Sequence, residues 1–101
     1  MILEVAILNI FPEKTVEFEA SFKISQSIIS SMSGYRGHQL QKCLETDGRY
    51  ILLVNWEKLE DHTIGFRESP EYQQWKNQLH HFYSPFPVVE HYTLKYEQKI
   101  Q

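Results

Sequence analysis

Two stretches of the chain, Ile2 to Ile10 and Tyr50 to Trp56, are apolar on both side-chain parities. In the first, Leu3, Val5 and Ile7 alternate with Ala6, Leu8 and Ile10, and only Glu4 and Asn9 interrupt. Successive side chains of a strand point to opposite faces, so strands of this kind must be covered on both and belong at the centre of a sheet. One helical layer covers one face, and a chain of 101 residues has little left for a second. The nearest source of a second cover is another copy of the chain, so the sequence predicts a homodimer.

The segments between these strands supply the helical layer. Pro12-Glu13-Lys14 reads as a turn, and Thr15 is placed to N-cap a helix running to about Ser31. Phe18, Phe22, Ser25, Ile29 and Met32 share one face of that helix, with Ile28 at its edge. Gly34, within Ser33-Gly34-Tyr35-Arg36-Gly37, is the left-handed residue just past its end. A second strand, about Tyr35 to Glu45, alternates poorly. It sets Tyr35, Gly37, Gln39, Gln41 and Cys43 against His38, Leu40, Lys42 and Leu44. Thr46-Asp47-Gly48-Arg49 is the strongest turn signal, since Asp-Gly supplies the positive φ of a tight hairpin. After Glu57 the period changes to about 3.6, with Leu59, Thr63 and Phe66 on one face of a second helix. Ser69 as N-cap and Pro70 at the first helical position then start a third, on which Tyr72, Trp75, Leu79 and Phe82 form one stripe. Pro85 and Pro87 admit a closing strand from Val88 to Tyr96. The order β-α-β-β-α-α-β predicts one α+β domain over residues 1–101: a ferredoxin-like split βαβ with a four-stranded antiparallel sheet and helices on one face.

Composition narrows the partners. A hydrophobic content of 42%, with 14% aromatic residues, is ample for a core and excludes disorder. The formal charge of −3 and the lack of any Lys/Arg block speak against nucleic acid. No apolar run reaches the length of a membrane span, and Met1 to Ile10 reads as a strand rather than a signal peptide. One cysteine, Cys43, forms no internal disulfide, which together with the rest points to the cytoplasm. No metal-ligand spacing, phosphate loop or nucleophile elbow is present, so no cofactor or metal is implied by motif.

What remains is a pocket of aromatic side chains between helices and sheet, suited to a small hydrophobic or aromatic molecule. Its candidate walls are Phe18, Phe22, Phe66, Tyr72, Trp75 and Trp56, each of which could equally be plain core. Trp56, at a strand end, needs a partner for its indole N–H, from a ligand or from the protein. Asn9 is an amide in an otherwise apolar strand and, if buried, must be hydrogen-bonded by a backbone group or by a substrate oxygen. His62, near the face of Leu59 and Phe66, is either a solvated surface histidine or a base that titrates near neutrality.

Several of these residues fall into a pattern. Asn55-Trp56-Glu57 closes a strand, Phe66-Arg67-Glu68-Ser69-Pro70-Glu71-Tyr72 leads to Trp75, and Pro87 precedes Glu90-His91-Tyr92. With Gly34-Tyr35-Arg36-Gly37 and Asn9 upstream, the chain resembles the antibiotic biosynthesis monooxygenase (ABM) family over nearly its whole length. The resemblance implies a ferredoxin-like domain that pairs its sheet with a second copy in a dimeric α+β barrel. It also implies cofactor-independent oxidation of a small aromatic or quinol-like molecule by O₂, with Asn9 and His62 as catalytic candidates. The alternative is a non-catalytic dimer that binds a small ligand or a partner protein. A third reading is haem binding: relatives that degrade haem carry an asparagine in the first strand, a tryptophan on the second helix and a histidine on the third. Phe66 and Lys76 stand at the last two places, so that triad is broken; His80 lies one turn further on.

Overall fold

The computed structural model describes residues 1–100. Four strands, β1 (Ile2–Asn9), β2 (Tyr35–Lys42), β3 (Arg49–Trp56) and β4 (Val89–Thr93), form one antiparallel sheet in the order β2-β3-β1-β4. The two doubly apolar strands are thus the central pair. Glu4, Ala6 and Leu8 of β1 point inward with Tyr50, Leu52, Val54 and Trp56 of β3, all buried. Two α-helices, α1 (Thr15–Ser30) and α2 (Pro70–Leu79), cover that face. Phe18, Phe22, Ser25 and Ile29 descend from α1, and Trp75 and Leu79 from α2. The Ser25 hydroxyl donates to Gln78 Oε1, tying the two helices together.

Local signals decide where the elements begin and end. Ser69 caps α2 as expected: its backbone is extended, its Oγ accepts from the Tyr72 N–H at 3.1 Å, and Pro70 follows at the first position. Gly34 has φ +84° just past the first helix, and an added Cβ would fall within 2.1 Å of the Asp61 carboxylate. Thr15 does not cap. A 3-10 turn over Pro12–Lys14 precedes it, which makes Thr15 the first helical residue, with its hydroxyl donating back to the Pro12 carbonyl.

Four further expectations are corrected. The poor alternation of β2 has a bulge as its cause: Tyr35 pairs with Trp56 but His38 with Val54, so one extra residue sits on β2 and Gly37 takes φ +114° there. Tyr35 and His38 consequently share a face and hydrogen-bond to each other. The second helix is a π-helical segment, Asp61–Phe66, with the Arg67 N–H bonded to the His62 carbonyl at 3.1 Å. Its inward residues are His62 and Phe66, while Leu59 stays exposed outside it. The third helix passes into a 3-10 turn at His80–Phe82, and the closing strand spans five residues, shorter than Val88 to Tyr96.

Candidate functional site

Glu4 is the least expected residue in the core. It sits in a central strand, 5% exposed, on the same face as Ala6 and Leu8. Two groups, Trp56 and His62, make its burial tolerable. Register places it beside His91 on β4 and Val54 on β3. The Trp56 indole N–H, from the diagonal position on β3, donates to Glu4 Oε1 at 2.9 Å. His62, lowered onto the sheet by the π-helical segment, brings Nε2 to 3.4 Å from the same oxygen. The other ring nitrogen of His62, Nδ1, lies 2.8 Å from His91 Nε2. The His62 ring stacks on Trp56 at 5.6 Å between centroids and 25° between planes.

These contacts fix the protons. Burial pushes the Glu4 carboxyl up to about 6, against the opposing pull of the Trp56 hydrogen bond and of Arg67. Burial pushes His62 down to about 3, with the charges of Arg67 and His91 adding to the effect. At neutral pH the pair is therefore a carboxylate and a neutral imidazole, with Nε2 and Oε1 in close contact at 3.4 Å rather than joined as a salt bridge. A carboxylate only accepts, so His62 carries its proton on Nε2 and offers the Nδ1 lone pair to the His91 Nε2–H. Both protein contacts go to Oε1, leaving Glu4 Oε2 free for the cavity beside it.

That cavity, about 340 Å³, lies between the sheet and α2. Ala6, Leu8 and Leu52 form its floor, with Glu4 and His62 at one end. Phe22, Phe66, Tyr72 and Trp75 form its aromatic walls, and the edge-on contacts of Phe66 with Tyr72 and Trp75, at 5.3 and 5.9 Å, hold the rings in place. His80 lines the cavity with Nδ1 buried and unpartnered, and burial holds its imidazole down at about 4. The exposed residues of the lining, Arg67 and Phe86, mark its mouth. Arg67 makes no ion pair among the described residues. The arrangement is a small apolar chamber with a carboxylate of raised proton affinity at one end and an unpaired guanidinium at the entrance. It is suited to taking a proton from a flat acidic molecule and holding the anion that results.

The structure brings His62, Phe22, Phe66, Tyr72 and Trp75 together around this chamber. Trp56 stands one layer behind: it is completely buried, and its indole partner is Glu4. The surface reading of His62 is corrected by its burial at 3% exposure, because the wide π-helical turn faces it inward. Asn9 is not brought to this site. It is exposed on the opposite face of the sheet, beside Ile7 and Pro87, and its Oδ1 accepts from Arg49 Nε at 3.2 Å. Lys76 is exposed and lies off the lining, whereas His80 is on it. Neither Glu4 nor His91 stood out as a site residue in the sequence. The available signal was parity, which puts Glu4 on the same face as Ala6 and Leu8.

Among the described residues no helix is long and apolar enough to cross a membrane. The family model for antibiotic biosynthesis monooxygenases matches residues 1–78. The YczJ protein of Bacillus subtilis, itself uncharacterised, is 54% identical over 92 residues, which are 91% of this chain and 97% of that protein. A crystal structure from Bordetella bronchiseptica, of a protein assigned to the antibiotic biosynthesis monooxygenases, superposes with a TM-score of 0.86 at 29% identity, covering 99% of this chain and 97% of that one. SnoaB, a cofactor-independent oxygenase from Streptomyces nogalater, shares the fold with a TM-score of 0.72 at 17% identity, covering 98% and 95%.

Proposed function

The chain belongs to the antibiotic biosynthesis monooxygenase family, and from that premise we propose that it is a cofactor-independent monooxygenase acting with O₂ on a small aromatic or quinol-like molecule. The observation that carries this reading is the Glu4 carboxylate, its Oε2 free at the wall of an aromatic chamber. A substrate with a doubly activated ring CH₂, or the keto form of a quinol, loses a proton from carbon to Glu4. The carbanion, delocalised onto a ring oxygen, is electron-rich enough to react with O₂. One oxygen atom ends as the ring carbonyl and the other leaves as water, with the electrons coming from the carbon itself, so no external reductant is needed. The protein's part is to exclude water, hold the ring flat between Phe66, Tyr72 and Trp75, and balance the anion with Arg67. His62 acts on the substrate through Glu4, whose oxygen it fixes. SnoaB, described as a cofactor-independent oxygenase, has the same fold.

We further propose that the working form is a homodimer, with the second copy covering the outer face of the sheet. The reading is tested with an oxygen electrode and a panel of anthrones, naphthohydroquinones and simple phenols. Stoichiometric O₂ uptake, with one atom of ¹⁸O₂ in the product, is the expected result. Binding of these compounds without O₂ uptake would leave a non-catalytic ligand-binding dimer.

A further inference from the structure

We infer that Glu4, His62 and His91 form a proton relay that connects the cavity to solvent at the open edge of the sheet. The inference rests on the reading of Glu4 as the cavity's base, but its geometry stands by itself. The first link is His62 Nε2 to Glu4 Oε1 at 3.4 Å, and the second is His91 Nε2 to His62 Nδ1 at 2.8 Å. His91 lies on β4, the edge strand, where it is only half-buried. Its own Nδ1 makes no hydrogen bond among the described residues, so the outer end of the chain is open to water. A buried acid is thus wired to the surface by two imidazoles, along a line that leaves through the sheet edge and not through the mouth beside Arg67 and Phe86.

The sequence of transfers follows from the tautomers. With Glu4 ionised, both imidazoles carry their proton on Nε2 and both donate toward the carboxylate. A proton arriving at His91 Nδ1 forms a new N–H bond there. The His91 Nε2–H bond breaks as its proton passes to His62 Nδ1, and the His62 Nε2–H bond breaks as its proton passes to Glu4 Oε1. Each imidazole ends neutral, with its proton moved from Nε2 to Nδ1, and Glu4 ends as the acid. The reverse sequence releases a proton from Glu4 to water. The consequence for function is that the base can be reset while a flat ligand plugs the mouth. Other ionisable groups facing the relay are Arg67, which follows the π-helical segment, and Tyr72 of α2. Arg67 opposes a cation on either imidazole, and this favours passage through neutral tautomers over a trapped imidazolium.

The relay has a signature that requires no substrate. In ¹⁵N-labelled full-length protein, the ring nitrogens of His62 and His91 report their tautomers by NMR as the pH is lowered through the Glu4 transition at about 6. The expected result is a concerted change of both rings from protonated Nε2 to protonated Nδ1, with neither ring doubly protonated. Glu4→Gln should abolish the switch. His91→Phe, which keeps a ring at the sheet edge, should leave Glu4 titrating while His62 stays protonated on Nε2. The inference is overturned if Glu4 titrates in the wild-type protein with both rings unchanged, or if either ring becomes an imidazolium over the same range. A failure to oxidise any compound in the panel would defeat the oxygenase reading and leave this result standing.

Discussion

At the scale of single residues, a carboxylate in a central strand needs a reason to persist, because an ionised group without water destabilises the fold. For Glu4 the folded-state value of about 6 lies above the ordinary 4.5. A raised acid contributes stability that is fully present below 4.5 and is lost as the pH rises through about 6. Above that range the ionised form costs about 2 kcal/mol, at ~1.4 kcal/mol per unit. Glu4→Gln keeps an acceptor for Trp56 and removes the charge, so it should raise stability at pH 8 by ~1–2 kcal/mol in urea titrations. The same change should lower turnover of a verified substrate by about 10²–10⁴, the usual loss with a general base. Asn9→Ala, on the other face, should leave turnover unchanged; a loss comparable to that of Glu4→Gln would return Asn9 to the site. His62 has the opposite sign. Its depressed value gives stability that is present above 6.5 and is lost as the pH falls toward about 3. His80, held at about 4, adds to this. Thermal unfolding followed between about pH 7 and pH 4 should show a falling Tm, less steep in His62→Gln. Legibility differed among these residues for a physical reason. His62 was visible as a titratable group near an aromatic face, but its burial depended on a π-helical turn with no sequence signature. Glu4 read as an interruption of an apolar pattern, although a single charge on the core parity of a central strand is itself a sign of a site.

Among the elements, those that could be read from sequence are those with local causes. Ser69 starts α2 by accepting from the Tyr72 N–H, with Pro70 at the first position, and Gly48 at φ +77° closes a turn from Thr46 to Arg49, although the connection runs from Lys42 to Arg49 and is longer than the tight hairpin expected. It is the pairing of β1 with β3, with Glu4 opposite Val54, that puts Trp56 near Glu4. Ser69→Ala should cost about 1 kcal/mol, the usual loss of an N-cap. It should also weaken binding of any cavity ligand, because Tyr72 and Trp75 ride on the first two turns of α2. Chemical denaturation and tryptophan-fluorescence titration would measure the two effects. Loss of stability with unchanged binding would show that the cavity wall is held by core packing rather than by the cap. What could not be read are the elements set by tertiary packing. The bulge at Gly37 turns the outer half of β2 over, and the wide turn at Asp61–Phe66 exchanges Thr63 for His62 as the inward residue. In both places the chain adds a residue to its turn or ladder, and a regular period does not carry that information.

For the whole molecule, the question left by the fold is the outer face of the sheet. The helices cover the parity of Glu4, Ala6 and Leu8, and leave Leu3, Val5 and Ile7 of β1 beside Ile51 and Leu53 of β3 on the other. In the register of the sheet these side chains are direct neighbours: Leu3 with Asn55 and Tyr92, Val5 with Leu53, and Ile7 with Ile51. Within the single chain Ile7 is 47% exposed and Tyr92 50%. A contiguous apolar patch on two central strands is what soluble monomers avoid, and a second copy related by a two-fold axis would cover it with the same residues. The expected state at micromolar concentration is a dimer by sedimentation velocity. A lysine at the centre of the patch would be desolvated against its own copy across the axis, so Leu53→Lys should dissociate the dimer. The inward face, and with it the Glu4, His62 and His91 contacts, does not include Leu53. The monomeric variant should therefore keep the histidine tautomers of the wild type, while its Tm becomes independent of protein concentration where that of the dimer rises with it. If the wild-type protein sediments as a monomer, or Leu53→Lys remains a dimer, the outer face is not the interface.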